Sequence, residues 1–497
     1  MRVLTTALAL TLLSASIAVS PGGSTGSAVA ASHDVCASGC SFTTIQEALD
    51  VAVGGDEITV GAGTFPERLI IPAVTPLRIV GAGETTILDA GAAGTALTVP
   101  AGVDLTVELV VIRNGSTAGN GAGVANDGTL TLRNVDISDN VAGDRGGGIH
   151  NSGTVVIEDS VIQRNLSGDQ TAGDRGLGGA GISSIGPTAA VTVRRSAILA
   201  NRVYEPTTDF RGGGAINSNF GDVTIEDSLI FDNDGDYSAG GIDMRGSGGL
   251  LTMRRTNVIG NRAGSGGGIV VRSSAQADID SSLIAGNSVG STGGGLRLDA
   301  LVSITNTTVS GNVAGSSGGG IRAGAGLTLD SVTITDNQAP FGGGVWTNRT
   351  VTADNSVIAG NRGDADWPDC LGAITTSGPL FVGVPATCTT TASTLLVGDP
   401  GLGALSDNGG PTLTHLPAAG SSLVDAGLTG LPIDQRGLTR PSGPAADLGA
   451  VEVQTAVDEE RPTFPSGSLT ATNLQPTSVD LAWAAAADNV TNGSITS

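Results

Sequence analysis

The 497-residue sequence has only two tyrosines, Tyr204 and Tyr237, and both fall in the same turn of neighbouring repeats. Near them lie Phe210, Asp209, Arg211 and Arg175, in two stretches, Ser167 to Leu177 and Val203 to Arg211, that lengthen a turn holding four or five residues in most repeats. Loops carry binding groups more readily than the scaffold that holds them. Aromatic faces beside charged and amide groups suit sugar rings, whose C–H faces pack on aromatics while their hydroxyls take hydrogen bonds. These six residues are the glycan-contact candidates. The same turn reads D-N-D-G-D, with Asp232, Asp234 and Asp236 at alternate positions as in a calcium loop. The match is partial, because Tyr237 replaces the tight-turn glycine of an EF-hand and Asp243 its closing glutamate.

A catalytic set is harder to assemble. The three histidines are far apart in sequence: His33 near the start, His415 in the tail, and His150 after a glycine run where other repeats carry Asp243 or Val270. Lysine is absent and all 24 basic residues are arginine, which removes a lysine base or Schiff base. No Gly-x-Ser-x-Gly elbow or phosphate loop is present, and the glycine triplets read as turns. Glu158 and Asp159 could be taken for the acid and base of a glycosidase. Their context argues otherwise. Successive repeats carry Arg133, Glu158, Arg194, Glu226, Arg254 and Asp280 at one position, and Asp159, Arg195, Asp227 and Arg255 at the next. Alternating signs at equivalent positions predict a salt ladder between coils, each charge between two opposite ones, with adjacent strand residues on opposite faces.

The elements that must hold these residues are repeats. Asn140, Asn165, Asn201, Asn233, Asn261, Asn287, Asn312, Asn337 and Asn361 recur at spacings of 25, 36, 32, 28, 26, 25, 25 and 24 residues. Three positions before each stands an aliphatic residue, such as Ile137, Val258 or Ile358. Apolar alternation of period two, as in Val155 and Ile157 or Leu327 and Leu329, marks strands. With 78 glycines and β-branched residues at the buried-looking positions, helical repeats are excluded. A strand, turn, strand and glycine-rich turn at this period predict an all-β fold, a right-handed parallel β-helix solenoid. Stacked asparagines then form a structural ladder, each amide donating to one neighbour and accepting from the other.

The net charge of −23 argues against nucleic-acid and anionic-membrane partners. Arg2, the apolar run Leu8 to Val19 and Ala28-Val29-Ala30 have the pattern of a secretory signal peptide cleaved near Ala30 or Ala31. No later stretch is long enough to span a bilayer. The four cysteines, Cys36 with Cys40 and Cys370 with Cys388, are disulfide candidates, with zinc as the alternative.

After Ser41, Thr44 and Glu47 have capping-box spacing, and Ile45, Ala48, Leu49 and Ala52 share a face. A short helix here would cover the open end of the solenoid. The following segments, from Gly55 to Ile71 and Leu77 to Ala90, resemble the first coils of pectin-lyase-like β-helices. The repeats resemble the polymorphic outer membrane protein type, with Gly146 to Ile149, Gly212 to Ile216, Gly266 to Ile269 and Gly318 to Ile321 as its glycine element. The resemblance implies fold, since such proteins include enzymes and noncatalytic surface proteins. The carboxylate and basic constellations of pectate lyases and polygalacturonases have no counterpart here. A lyase using Tyr204 and Arg211 is the remaining catalytic option.

From Asp364 the asparagine repeat stops, and the stretch from about Gly398 to Glu452, with D-Q-R-G-L-T-R-P and D-L-G-A-V-E, closely resembles the choice-of-anchor Q domain. That resemblance implies an extracellular or envelope-associated protein. Ser466 to Val490 is similar to the opening strands of a fibronectin type III domain, which needs about 90 to 100 residues. The expected layout is a signal peptide (1–31), an N-terminal cap and first coils (32–110), β-helix repeats (111–363), the choice-of-anchor Q-like region as a β-rich cap (364–455), a linker (456–465) and the fibronectin-like segment (466–497). The expected function is that of a secreted bacterial surface or interaction protein binding glycan or mediating adhesion, without catalysis or cofactor. Its partner would be an extracellular or cell-wall glycan or another surface protein. The alternative is a secreted polysaccharide lyase or glycoside hydrolase acting on acidic polysaccharide.

Overall fold

The computed structural model describes residues 30–168, 178–204, 212–272, 274–364, 368–392, 394–428, 430–454, 470–475 and 478–482. Residues 29–453 form one compact unit, a right-handed parallel β-helix of about 13 turns. One coil shows the plan. Thr129–Arg133 lies on face A, Asp136–Ser138 on face B, Val141–Ala142 on the short face D and Ile149–Asn151 on face C, before Thr154–Glu158 returns to face A. Each strand pairs in parallel with its equivalent one coil on, Leu130 with Val155 and Ile137 with Ile162.

Period two is what makes this coil close. Leu130, Leu132, Ile137 and Ile149 point inward and are buried, so each coil adds a layer to one continuous core. The corners are left-handed: Asn134 has φ 52° and Asp139 φ 57°. Asparagine and aspartate accept that conformation at lower cost than most residues. Asp159 is also such a corner, with φ 50°, so it leaves the strand that ends at Glu158 rather than taking the opposite face of it.

The triplet Gly266-Gly267-Gly268 shows why glycine fills the long turn. Gly266 has φ +80°, a Cβ on Gly267 would lie 2.3 Å from the Gly294 carbonyl oxygen, and one on Gly268 would lie 2.6 Å from that of Gly295. Adjacent coils approach here too closely for any side chain.

The N-terminal end is closed by the helix α1, Ile45–Val51. Thr44 Oγ1 accepts from the Glu47 amide at 3.2 Å. Glu67, from the first coils, accepts from the Ile45 and Gln46 amides at 2.9 and 3.0 Å, neutralising two helix-end donors. Ile45, Ala48, Leu49 and Ala52 are buried against the core.

Two features differ from the sequence expectation. The coils do not end at residue 363: Cys370–Thr375, Pro379–Val382, Cys388–Thr390 and Thr394–Leu396 continue the faces. Only the asparagine is lost there, and strand pairing does not depend on it. The segment after Leu396 is not a β-rich lid over the far end. It runs in turns with isolated antiparallel bridges, such as Ser406 with Thr414, and lies along face B. Thr308 Oγ1 donates to Gln435 Oε1 at 2.6 Å, the Ala450 amide to Thr333 Oγ1 at 2.9 Å, and the Leu428 amide to Asn355 Oδ1 at 2.8 Å. Buried between are Val357, Ala359, Phe381, Leu423 and Leu448.

Outside the compact unit, Thr470–Gln475 and Ser478–Ala482 pair as an antiparallel hairpin.

Candidate functional site

Face D carries the turn singled out by the two tyrosines. Its outward row runs Arg202, Asp234, Arg262 on three successive coils, joined by parallel bridges. Val203, between Arg202 and Tyr204, points inward and is fully buried, so strand alternation places Tyr204 on the same outer side as Arg202. Tyr204 is fixed by its amide, which donates to the Ser167 carbonyl at 2.7 Å, and is half-buried. Tyr237 is also half-buried, three residues beyond Asp234. The side chains of Arg202 and Arg262 are 61% and 70% accessible, against 22% for Asp234 between them. Arg262 reaches Asp234 Oδ2 at 3.4 Å and Arg202 only at 4.0 Å. Two guanidiniums thus share the Asp234 carboxylate, in a turn that also holds the exposed Asp232 and Asp236. Sequence reasoning missed both arginines, although each immediately follows a ladder asparagine.

Phe210, Arg211, Asp209 and Arg175 lie outside the described residues. Asp232, Asp234 and Asp236 do not converge as a calcium loop would require. Asp234 spends one oxygen on the Asp236 amide at 3.0 Å and the other on Arg262. Among the described residues no group of three or more His, Cys, Asp or Glu side chains is placed to hold a metal ion.

Face C presents a second row. Its outward positions stack Ala125, His150, Ser183, Asn217, Asp243, Val270, Arg297, Arg322 and Trp346 in register. Ser183, Asn217 and Asp243 are buried although they point away from the core, because the glycine turn folds back on them: a Cβ on Gly179 would lie 2.8 Å from Ser183 Cα. Asp243 is clamped by Arg245 and by Arg272, whose Nε is 2.9 Å from Oδ1, and accepts from Ser238 Oγ at 2.8 Å. Burial pushes its carboxyl up, but the two guanidiniums outweigh this and hold it at about 2. His150 Nδ1, Ser183 Oγ and Asn217 Oδ1, on three consecutive coils, have no hydrogen-bond partner among the described residues. Burial, then the Arg145 charge, push the His150 imidazole down, so it is neutral at pH 7. No sequence signal marked this seam beyond the isolated His150, because its members become neighbours only once the coil register is known.

The remaining motif residues are taken up by the scaffold. Each ladder amide donates to the next, Asn140 to Asn165 at 2.9 Å and Asn261 to Asn287 at 3.0 Å, and also to a carbonyl of the preceding coil. Glu158 lies between Arg133 at 2.9 Å and Arg194 at 3.7 Å, in a face A ladder that begins earlier, with Glu57, Arg78 and Glu108. The second charge row forms separate pairs, Asp159 with Arg195 and Asp227 with Arg255, instead of a continuous ladder, because its members project from corners. His33 bonds Asp56, and His415 is buried between Ser310 Oγ and the Gly403 carbonyl. Cys36 bridges Cys40, and Cys370 bridges Cys388. No helix among the described residues is long and apolar enough to cross a membrane.

A family model described as a right-handed β-helix region matches residues 85–296. Among solved structures, a pectate lyase is similar at a TM-score of 0.37 and 14% identity, covering 86% of this chain and 96% of its own. An alginate lyase from Paenibacillus sp. is similar at 0.29 and 16% identity, covering 68% and 97%. Likeness at this level assigns no chemistry to this chain. No curated protein matches.

Proposed function

We propose that this chain is a secreted, envelope-associated bacterial β-helix that binds an acidic glycan through the outer row of face D, without transforming it. The observation that carries this reading is the pair of exposed guanidiniums, Arg202 and Arg262, straddling Asp234 beside Tyr204 and Tyr237. Guanidinium forks match carboxylate and sulfate groups, and phenol rings accept sugar C–H faces. The stacking of coils at about 4.8 Å presents these groups in a line, as an extended polymer requires. The layout of a cleaved leader, a choice-of-anchor Q-like segment and a fibronectin-like tail fits export and attachment.

A second reading, cleavage of an acidic polysaccharide, is favoured by one observation: the neutral His150 stands next to Ser183 and Asn217, and its Nδ1, Ser183 Oγ and Asn217 Oδ1 have no partner among the described residues. One experiment separates the two. Immobilised polyuronates and neutral polysaccharides are challenged with the protein, with and without calcium, while retention, unsaturated products and new reducing ends are recorded. Salt-sensitive retention on polyuronate without products is expected, weakened about tenfold by Arg202→Gln with Arg262→Gln and abolished by Tyr204→Ala with Tyr237→Ala. Retention untouched by both double variants sinks the face D site, and product formation transfers the function to the His150 seam.

A further inference from the structure

We propose that the exported chain begins at Ala31 and that its new α-ammonium seats on the carboxylate of Asp56. Asp56 lies at the start of the second strand and is only 2% exposed. A carboxylate buried to this degree ordinarily has a permanent cation beside it. Asp56 has none among the described residues. Its partners are the Val53 amide at 2.9 Å and His33 Nε2 at 2.9 Å on Oδ2, and the Ala31 amide at 2.8 Å, which reaches Oδ1. His33 is the only ionisable group among them. The missing charge is one bond away.

Ala28-Val29-Ala30 places small residues where a signal peptidase needs them, immediately before Ala31. Hydrolysis of the Ala30–Ala31 peptide bond by water leaves a carboxylate on Ala30 and an amine on Ala31. The amine takes up a proton at neutral pH, turning a neutral N–H donor to Oδ1 into a charged one without moving the chain. Ala31 is held there from its other side as well, since its carbonyl accepts from the Glu57 amide at 2.9 Å, and Ser32–Val35 pairs directly with Glu57–Val60. Cleavage therefore both releases the leader and completes the ion pair that fixes the first strand. Val53, which precedes the turn into Glu57–Val60, is tied to the same carboxylate, so α1 is anchored through it.

The sequence makes the test clean. Because there is no lysine, the α-amine is the sole target of an amine-specific acylating reagent. The protein is exported with its own leader from a secreting bacterial host, its first residue is determined by N-terminal sequencing, and single acylation is followed by mass over a range of pH. The expected first residue is Ala31, with the amine titrating above its ordinary range of about 7.7 to 8.0 and acylated about tenfold more slowly at pH 7 than in urea-unfolded protein. Asp56→Asn should return the titration to the ordinary range. If that variant does not fold, the unfolded wild-type chain supplies the reference. A first residue other than Ala31, or a folded amine that titrates as the unfolded one does, overturns the proposal.

Discussion

At the scale of single residues, the most consequential side chain outside the core is Asp243. It is fully buried and two arginines depend on it. Removing one partner of a buried ionic cluster strands the others, so Asp243→Asn should cost about 3 kcal/mol at pH 7, read by urea unfolding. The pH dependence has a definite sign. The folded carboxyl titrates at about 2 against an ordinary 3.8. Its depressed value means that the stabilisation is complete above the unfolded value and disappears as pH falls through the folded one. The gap between wild type and Asp243→Asn should therefore be constant down to about pH 4 and close towards about pH 2. A gap that stays constant from about pH 5 to 2 would show that Arg245 and Arg272 do not rely on this charge. The same variant leaves Arg202 and Arg262 in place, so it separates loss of fold from loss of glycan retention.

At the scale of elements, the coil is set by two independent registers. One is the amide ladder inside the turn, and the other is the run of alternating charges on face A. Arg194 sits between Glu226 at 3.0 Å and Glu158 at 3.7 Å, with its side chain 40% exposed. Half-exposed pairs contribute little singly, about 0.5 kcal/mol. Reversing the charge puts three carboxylates in a row, so Arg194→Glu should lose about 1 to 2 kcal/mol more than Arg194→Gln at low salt. In about 1 M salt, where screening reaches about 3 Å, that excess should largely vanish. Equal stabilities of the two variants at low salt would mean that the row contributes nothing to register. Much of this was legible in the sequence because repetition exposes it: one asparagine and one aliphatic residue per coil announce stacking before any contact is known. The ladder's first members were not legible, since Glu57, Arg78 and Glu108 belong to coils of irregular length. Nor was the covering of face B. Thr308 and its partner Gln435 are 127 residues apart, and no period relates a coil to a segment that does not repeat.

At the scale of the whole molecule, the fold must end somewhere, and the two ends solve this differently. The N-terminal end is closed by a helix. Towards the other end the amide row stops before the strands do: Asn361 donates not to another asparagine but to Asp369 Oδ1 at 2.9 Å, while Asp369 Oδ2 accepts from the Val384 amide at 2.7 Å. A carboxylate can receive on both oxygens, whereas an amide must offer a donor on one side. Asp369→Asn would therefore set two N–H groups against each other and should cost about 2 kcal/mol, measured by thermal unfolding. Unchanged melting would show that the site relaxes around either group.

Asp369 also gives the amide row a direction. Every asparagine hands its hydrogen forward, so a row made only of amides has no end of its own. A group that only receives ends the sequence of hand-offs. One carboxyl group thereby closes the row of amides, while the strands from Cys370 to Leu396 carry the stack on without it.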